Sequence, residues 1–414
     1  MSDGLRFGGG LTLLGLASLT AVPAPTHLLW AMSVMSTEWG YWLAIAAIIP
    51  LIPWRNSTKL GRLGAIFSVG AIALFIVPVL RAHEMNNDLP AAFTERFGAE
   101  RRERTHYSES TRQAPLVLRD LLKPVPLPAV RFEERVFGKR DGASLTLDIY
   151  QPGYDHGPLP GVIVVHGGDW QSGGNAEFLA LNAYLAGRDY VVAAINYRFA
   201  ARFPFPAGRD DVLAAIAYLK VYASEIGVDP TRLVLLGRSS GAQLALLTAY
   251  TANEPAIKGA ISLYGPTDMR AQYDQPGFKG VFDTRHALET YLGGPPSKAD
   301  DAYFAASPVN FVTSTSPATL LIHGMRDTIV PVDQSAELDG KLEQAGVKHL
   351  FIKLPWATHG CDKTFGGPCG QVATYAVERF LDAVTIDETP EPPAPPVKQA
   401  KTRAQRTPKT MAAK

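Results

Sequence analysis

The chain has 414 residues, and since domains usually run about 100 to 200 residues, we expect one large folded unit with additional segments. Its 40 basic and 39 acidic residues leave a net charge of +1, which gives no reason to expect a nucleic-acid partner. Charged residues make up only 19% of the chain and apolar residues 46%, a balance that indicates membrane-embedded sequence.

Three apolar stretches without Lys, Arg, Asp or Glu open the sequence, at residues 11–32, 41–54 and 63–80. Crossing the hydrocarbon core takes about 20 apolar residues, so the first and third are long enough, and the second is short unless Trp39 and Gly40 extend it. The alternative, a cleaved signal peptide followed by two buried helices, accounts less well for three such stretches. Residues 1–82 are therefore predicted to hold three transmembrane helices, at about 9–32, 39–54 and 63–81.

The charges beside these stretches predict the topology of the chain. Arg55, Lys59 and Arg62 lie between the second and third stretches, whereas Glu38 is the only charge between the first two. Positive residues favour the cytoplasmic side, so the chain after Leu80 is predicted to lie on the non-cytoplasmic side of a multi-pass membrane protein. The basic run over residues 96–104 argues against this orientation.

Two further segments show no sustained periodicity. Residues 83–130 are charged and then proline-rich, and are predicted to be a linker. Residues 387–414 are proline-rich and basic without an apolar face, and are predicted to be a disordered tail. Between these segments, Cys361 and Cys369 lie eight residues apart. A local disulfide and two free thiols both remain open, and a disulfide would require a position outside the cytosol.

Residues 131–386 alternate between strand and helix patterns. An Asp141-Gly142 turn signal between two alternating runs predicts a hairpin. Six later apolar runs are predicted strands, at residues 161–168, 190–197, 232–237, 257–265, 318–324 and 349–355. Helical spacing at 210–227 and 241–252 completes an α/β pattern with a mainly parallel sheet and helices on both faces. In such sheets the chemistry lies beyond the carboxyl ends of the strands.

Candidate catalytic residues follow several of these predicted strands. A serine hydroxyl is a weak nucleophile at neutral pH, so it needs an imidazole to take its proton and a carboxylate to orient that imidazole. Ser239, Asp327 and His359 supply these three groups in chain order. The competing residues have other predicted roles: His166 and His323 as structural hydrogen bonders, Asp333 as a helix cap, and Asp362 as a residue too close in sequence to reach His359.

The stretch LLGRSSGAQLAL contains two adjacent serines. The sharp turn between a strand and a helix needs small residues two positions before and two after the nucleophile. Ser239 has Gly237 and Gly241 at these positions, whereas Ser240 has Arg238 and Ala242. Ser239 is therefore the predicted nucleophile.

Acyl transfer also needs donors for the oxyanion that develops on the carbonyl oxygen. The backbone N–H groups of Gly167, Gly168 and Asp169 in HGGDW, together with that of Ser240, are the predicted oxyanion hole. The Asp169 side chain is predicted either to bind substrate or to hold this loop, and Trp170 is predicted to pack in the core.

The motifs HGGDW, GRSSG, HGMRDTIVP and ATHG together resemble the α/β-hydrolase fold, and within it the HGG-motif esterases and lipases of the hormone-sensitive-lipase type. The resemblance covers roughly residues 130–385 and includes the segment 196–212. It implies an eight-stranded, mostly parallel sheet, a Ser-His-Asp triad, carboxylic-ester hydrolysis through an acyl-enzyme, and neither cofactor nor metal. Asp169 replaces the third glycine of the commoner HGGG, as in relatives that act on esters or formamides.

The sequence therefore predicts a membrane-anchored serine hydrolase that cleaves a small-molecule or lipid ester, with Ser239 as the acylated residue. An amide hydrolase, such as a formamidase or a peptidase, would use the same triad. A non-catalytic membrane interaction protein is the alternative from another class. Residues 269–310 are predicted to cover the site, and nothing in the sequence indicates an oligomeric state.

Overall fold

The structure is a computed structural model that describes residues 2–52, 58–98 and 112–386. The predicted tail over 387–414 lies outside these ranges, as do Trp54, Arg55 and residues 99–104 of the basic run. The N-terminal region up to residue 98 contains α1 (Asp3–Ser18), α2 (His27–Glu38), α3 (Gly40–Ala46), a 3₁₀ turn over Ile49–Leu51 and α4 (Lys59–Phe97).

An eight-stranded sheet organises the chain after residue 129. Its strands are β1 (Val130–Arg140), β2 (Ala143–Pro152), β3 (Leu159–Val165), β4 (Val191–Ile195), β5 (Val228–Arg238), β6 (Ile257–Leu263), β7 (Ala318–Gly324) and β8 (His349–Leu354). The order across the sheet is β1-β2-β4-β3-β5-β6-β7-β8, and strands β3 to β8 are parallel. Strands β1 and β2 form the antiparallel hairpin predicted at Asp141-Gly142. The mostly parallel sheet predicted from the alternating pattern is confirmed.

Helices cover both faces of this sheet. They are α5 (Leu118–Leu122), α6 (Leu179–Ala186), α7 (Ala207–Val221), α8 (Ala223–Ile226), α9 (Ser240–Thr251), α10 (Met269–Asp274), α11 (Thr284–Leu292), α12 (Pro296–Ala305), α13 (Asp333–Gln344) and α14 (Pro368–Thr385). Successive residues of β5 alternate between the two cores: Leu233 and Leu235 pack with α7, α9 and α13, while Val234 and Leu236 pack with α6 and α14. A strand buried on both faces has to be apolar throughout, which explains its continuous run.

The N-terminal helices differ from the predicted spans. The first stretch is divided into α1 and α2 by a non-helical segment with Pro23 and Pro25, residues that cannot continue a helix hydrogen-bond ladder. The second stretch is a short helix followed by a 3₁₀ turn. In the described part of the chain, only α4 is by itself long and apolar enough to cross a membrane; α2 joined to the segment 40–51 passes the same criterion as a pair bent by 80°.

Small residues bring α1 and α4 into close contact. A Cβ added to Gly10 would lie 2.2 Å from the Gly64 carbonyl oxygen, and one added to Gly64 would lie 2.5 Å from the Arg6 carbonyl oxygen. The two backbones can approach this closely only because neither position has a side chain. Packing through small residues is typical of helices that associate in a bilayer, where burying apolar surface gives no advantage.

The second half of α4 belongs to the core of the hydrolase fold. The helix continues to Phe97 through the first part of the predicted linker, and its residues Val79, Leu89 and Phe93 lie in the same buried cluster as α14. The Phe97 ring meets the Phe380 ring edge-on, with centroids 5.5 Å apart. Residues 83–97 are therefore a packed helix, because their apolar side chains recur on the face that contacts α14.

Helix α2 has polar residues inside and apolar residues outside. Ser33, Ser36, Thr37 and Glu38 are buried, whereas Leu28 is 70% exposed. Glu38 Oε2 accepts a hydrogen bond of 3.0 Å from the backbone N–H of Cys369, at the start of α14. An acceptor oxygen suits this position because the first N–H groups of a helix lack partners. Burial nevertheless raises the pKa of Glu38 well above its usual range, and the hydrogen bond from Cys369 only partly opposes this.

The packing of α1 on α4 can be tested with two glycines of one helix. Gly10→Ala would force the backbones apart, and overpacking of this kind costs about 1–3 kcal/mol. Gly8 has nothing within 4 Å of an added Cβ, so Gly8→Ala should gain helix propensity without a clash. Thermal unfolding in detergent should therefore show a lower melting temperature for Gly10→Ala and an equal or higher one for Gly8→Ala. Equal behaviour of the two variants would contradict the close packing.

Candidate active site

Ser239 lies on a sharp turn between β5 and α9. Its backbone has φ 51° and ψ −124°, a conformation that L-residues rarely adopt, and its N–H donates to the Leu263 carbonyl over 2.9 Å. A Cβ on Gly237 would lie 2.2 Å from the Gly241 carbonyl oxygen, and a Cβ on Gly241 would lie 2.2 Å from the His166 carbonyl oxygen. Both flanking glycines are therefore required by the space around the turn, as the motif predicts.

The structure brings the three predicted triad side chains together. His359 Nε2 lies 2.9 Å from Ser239 Oγ, and His359 Nδ1 lies 2.6 Å from Asp327 Oδ2. Asp327 follows β7 and His359 follows β8, so the fold places both at the carboxyl edge of the sheet beside Ser239. This geometry lets His359 take the hydroxyl proton while Asp327 orients the imidazole.

The carboxylate of Asp327 is fully buried and well supplied with donors. The backbone N–H groups of Ile329 and Val330 donate to its Oδ1 at 2.8 and 2.9 Å. Burial alone would raise the pKa of Asp327, but the charge of His359 and hydrogen bonds from His323 and His359 outweigh it and hold the pKa well below its usual range. Asp327 therefore stays ionised, the state that stabilises a protonated His359.

His323 contributes to the site in a way that its sequence motif does not reveal. Its Nδ1 lies 2.8 Å from Ser335 Oγ and its Nε2 lies 2.9 Å from the Val330 carbonyl oxygen, the structural bonding that was predicted. Its Nε2 is also 3.4 Å from Asp327 Oδ2. His323 and Asp327 are only four residues apart in the sequence, and this short separation could have indicated their contact.

The predicted oxyanion loop runs beside Ser239. Gly167 is so close that an added Cβ would lie 3.2 Å from the Ser239 Cβ, and Gly168 has φ 111°, which only glycine adopts without strain. Burial lowers the pKa of His166 to about 4, so its imidazole is neutral and its Nδ1–H donates to the Gly167 carbonyl oxygen over 2.6 Å. His166 therefore holds the loop and takes no part in the triad.

Asp169 and Trp170 continue this loop with positive φ values of 51° and 62°. Asp169 lines the cleft above Ser239, and burial raises the pKa of its carboxyl group. The indole of Trp170 stacks on Tyr291 with ring centroids 4.3 Å apart, and its N–H donates to Gln243 Oε1 over 2.9 Å. Trp170 thus packs as predicted and also forms one wall beside the nucleophile.

A buried charged cluster that the sequence did not indicate supports the catalytic loop. Asp362 accepts hydrogen bonds from Arg238 Nε on one oxygen and from the Tyr264 hydroxyl on the other. The Tyr264 ring packs edge-on against His359, with centroids 4.6 Å apart. Asp362 therefore does not reach His359 directly, in keeping with its predicted exclusion, but acts on it through Tyr264.

The loop after His359 is closed by a disulfide bond between Cys361 and Cys369. The sequence left this pairing open. The bond encloses Asp362 and ends at the N-terminus of α14, where Glu38 accepts the Cys369 N–H. Both thiols are used in the bond, so neither is available as a metal ligand.

Two spaces adjoin Ser239. A cleft of about 250 Å³ opens above it, lined by aromatic side chains and by charged ones: Trp30, Phe178, Tyr264, Phe282, Asp169, Glu177, Arg238 and Lys363. A smaller apolar recess of about 30 Å³ lies between Ser239 and α11, with Trp170, Ala287 and Val330 in its walls. Phe282, Thr284 and Ala287 come from the segment 269–310 that was predicted to cover the site.

Comparisons with known proteins agree with this geometry. A family model described as BD-FAE matches residues 147–342. The carboxylesterase NlhH from Mycobacterium tuberculosis is 34% identical over 252 residues, which are 57% of this chain and 77% of NlhH. The chain belongs to this carboxylesterase family.

Two other proteins extend the comparison. LipM from Mycobacterium tuberculosis, described as a probable carboxylic ester hydrolase, is 30% identical over 259 residues, 59% of each chain, so the sequence spans about six-tenths of LipM. The crystal structure of an esterase from Pyrobaculum calidifontis superposes with a TM-score of 0.54 at 25% identity, over 62% of this chain and 86% of that one. The α/β-hydrolase fold predicted from the motifs is confirmed.

The Asp362 cluster generates a stability prediction. Asp362→Asn leaves the Arg238 guanidinium buried without its ion partner, and breaking a buried pair costs about 3–5 kcal/mol. The matched control is Asp274→Asn, which removes one partner of the exposed Arg270–Asp274 pair, worth at most about 1 kcal/mol.

Thermal unfolding should show a much larger fall in melting temperature for Asp362→Asn than for Asp274→Asn. The proposed hydrolysis should also slow in Asp362→Asn, because one amide oxygen cannot accept from both Arg238 and Tyr264 as the two carboxylate oxygens do, which disturbs the ring packed against His359. Matching melting temperatures for the two variants would argue against a structural role for the buried pair.

Proposed function

We propose that the protein hydrolyses carboxylic esters through an acyl-enzyme formed on Ser239. The observation that carries this proposal is the hydrogen-bonded series from Ser239 through His359 to Asp327, at the strand ends of a carboxylesterase-family fold. NlhH and LipM are described as a carboxylesterase and a probable carboxylic ester hydrolase, which favours an ester over an amide as the bond that is broken.

The geometry gives each residue a role in the two half-reactions. Ser239 Oγ attacks the ester carbonyl carbon as His359 Nε2 takes its proton, and the backbone N–H groups of the predicted oxyanion hole, at Gly167, Gly168, Asp169 and Ser240, receive the oxyanion. The alcohol leaves with the proton from His359. Water then attacks the acyl-enzyme with His359 as its base, which releases the acid and restores Ser239.

The recess beside Ser239 favours a short acyl group. A space of roughly 10–15 Å³ accommodates one water-sized group, so a recess of about 30 Å³ has room for one or two carbon atoms beyond the carbonyl. Its walls are apolar, which suits a methyl or ethyl group. We propose acetyl or propionyl esters as substrates, with the larger cleft holding the alcohol part.

The N-terminal helices support a membrane anchor. Helix α4 is long and apolar enough to span a bilayer, and only 28% of its most apolar 18-residue window is buried, whereas a core helix of a soluble protein would be mostly buried. The Cys361–Cys369 disulfide favours a hydrolase unit on the non-cytoplasmic side, since disulfides persist in oxidising compartments. We propose an anchored enzyme with its site outside the cytoplasm.

The two adjacent serines provide the test of the mechanism. Ser239→Ala should lower the turnover number on p-nitrophenyl acetate by about a millionfold, because the nucleophile is lost. Ser240→Ala removes a hydroxyl but keeps the backbone N–H, so it should retain turnover within about threefold. Labelling with a fluorophosphonate probe should follow the same pattern, and substantial turnover by Ser239→Ala would refute the proposal.

The size of the recess generates a second test. Val330→Ala should widen the recess, because Val330 lies in its wall. An apolar pocket discriminates one methylene by about 10-fold or more. The rate of butyrate hydrolysis relative to acetate hydrolysis should therefore rise by about tenfold in this variant. Val309→Ala is the matched control, because Val309 is equally buried and belongs to the apolar core without lining the recess. The proposed acyl pocket would be wrong if both variants kept the wild-type ratio across a panel of p-nitrophenyl esters.

A further inference from the structure

One wall of the active-site cleft comes from outside the hydrolase unit. Trp30 of α2 lines the cleft together with Ser239 and His359. Its ring reaches the catalytic loop, since a Cβ added to Gly360, the residue after His359, would lie 4.0 Å from Trp30 Cζ2. The N-terminal region therefore shapes the substrate site directly.

Helix α2 is fixed across the rim of the cleft at both ends. At its start, the His27 N–H donates to the Gly280 carbonyl oxygen over 2.9 Å. At its end, Glu38 accepts the Cys369 N–H, and the Trp39 indole N–H donates to Thr364 Oγ1 over 3.1 Å. These contacts join α2 to the segment before α11 and to the disulfide loop, which lie beside the cleft.

The outer face of α2 is unsuited to water. Leu28 and Met35 are 70% and 44% exposed, whereas a water-soluble helix turns such residues toward the core. Further large apolar side chains are exposed on the following segments: Trp42, Ile45, Ile48, Ile49, Ile52, Leu63, Ile66 and Val69. So many exposed apolar side chains within one region favour a contact with lipid or with a partner protein.

The bend after α2 sets the angle between α2 and α4. Two contacts place the segment 40–51 alongside α4. At its start, Gly40 packs on the backbone of Phe75 in α4. At its end, the Pro50 carbonyl oxygen accepts a hydrogen bond from Arg6, and the Arg6 backbone lies against Gly64 of α4. Helix α2 is bent by 80° from that segment. With α4 crossing the bilayer, α2 lies along the membrane surface, and the cleft with Trp30 in its wall opens at that level.

We propose that the cleft takes its substrate from the lipid surface, as the short-chain ester of an amphiphilic alcohol. This inference rests on the proposed ester hydrolysis. The lining of the cleft fits such an alcohol, because Trp30, Phe178 and Phe282 offer apolar contacts. Asp169, Glu177 and Lys363 offer hydrogen bonds to a polar part. The reaction cleaves the ester with water, so the short acid leaves to solvent and the alcohol remains with the bilayer.

The test compares two acetates with the full chain reconstituted in lipid nanodiscs. One is a 1,2-dialkyl-3-acetylglycerol within the bilayer, whose acetyl ester is its only ester bond, and the other is p-nitrophenyl acetate in solution. Acetate release gives kcat/KM for each, and their ratio is compared between variants. Phe132→Ala is the control, since Phe132 is 56% exposed on β1 and lines neither the cleft nor the exposed apolar surface of the N-terminal helices.

In Trp30→Ala, the ratio of bilayer to soluble substrate should fall by about tenfold, since a buried apolar contact to the alcohol is lost. Trp30→Phe keeps an aromatic wall and should restore most of this ratio, and Phe132→Ala should keep the wild-type ratio. Hydrolysis of p-nitrophenyl acetate without hydrolysis of the acetylglycerol, or an unchanged ratio in Trp30→Ala, would overturn this inference. Failure of the wild-type protein to release acetate from either compound would instead overturn the proposed ester hydrolysis.

Discussion

The close backbone approach around Ser239 is the constraint on which the site depends. The turn holds Ser239 at φ 51° because the strand before it and the helix after it meet without intervening side chains. The carbonyl oxygen of His166 lies 2.2 Å from the place of a Cβ on Gly241. The loop after His166 and the turn at Ser239 are therefore packed against each other. Conformational strain at Ser239 is tolerated because the surrounding parallel strands are buried on both faces and leave the turn no other path.

Buried polar groups then connect this turn to the rest of the molecule. Arg238, directly before the nucleophile, binds Asp362, and Asp362 lies inside the loop closed by the disulfide bond. The same loop ends at the N–H that Glu38 accepts. Unpaired charges are costly in a protein interior, so each of these groups holds its neighbour in place. The position of His359 thereby depends on contacts from both the hydrolase unit and the N-terminal helices.

The sequence predicts the sheet and the candidate site well because the information there is local. Continuous apolar runs specify doubly buried strands, and the spacing of glycines around Ser239 reflects contacts within a few residues. Asp327 and His359 could be chosen because each follows a strand. The partners of Asp362 could not, since Arg238 and Tyr264 are distant in sequence and meet only through the strand order of the sheet.

The N-terminal region was harder to predict for a related reason. Apolar composition indicates burial in protein or lipid, but it does not show that α2 would turn its serines and Glu38 inward. It also does not show where a long helix enters the core of the hydrolase unit, as α4 does after Gly64 and before Phe93. The bounds of the predicted spans therefore differ from the bounds of the helices. The apolar character of the region is evident both from the sequence and from the structure.

The edge-on contact of Phe97 with Phe380 has a mechanical consequence. The second half of helix α4 packs into the apolar core of the hydrolase unit, so this contact does not depend on a tether alone. An enzyme on a long tether samples many heights and tilts above a surface, whereas a rigid stem allows one. In the membrane-anchored arrangement proposed above, the residues that pack α4 into the core would therefore also set the angle and height of the cleft above the bilayer.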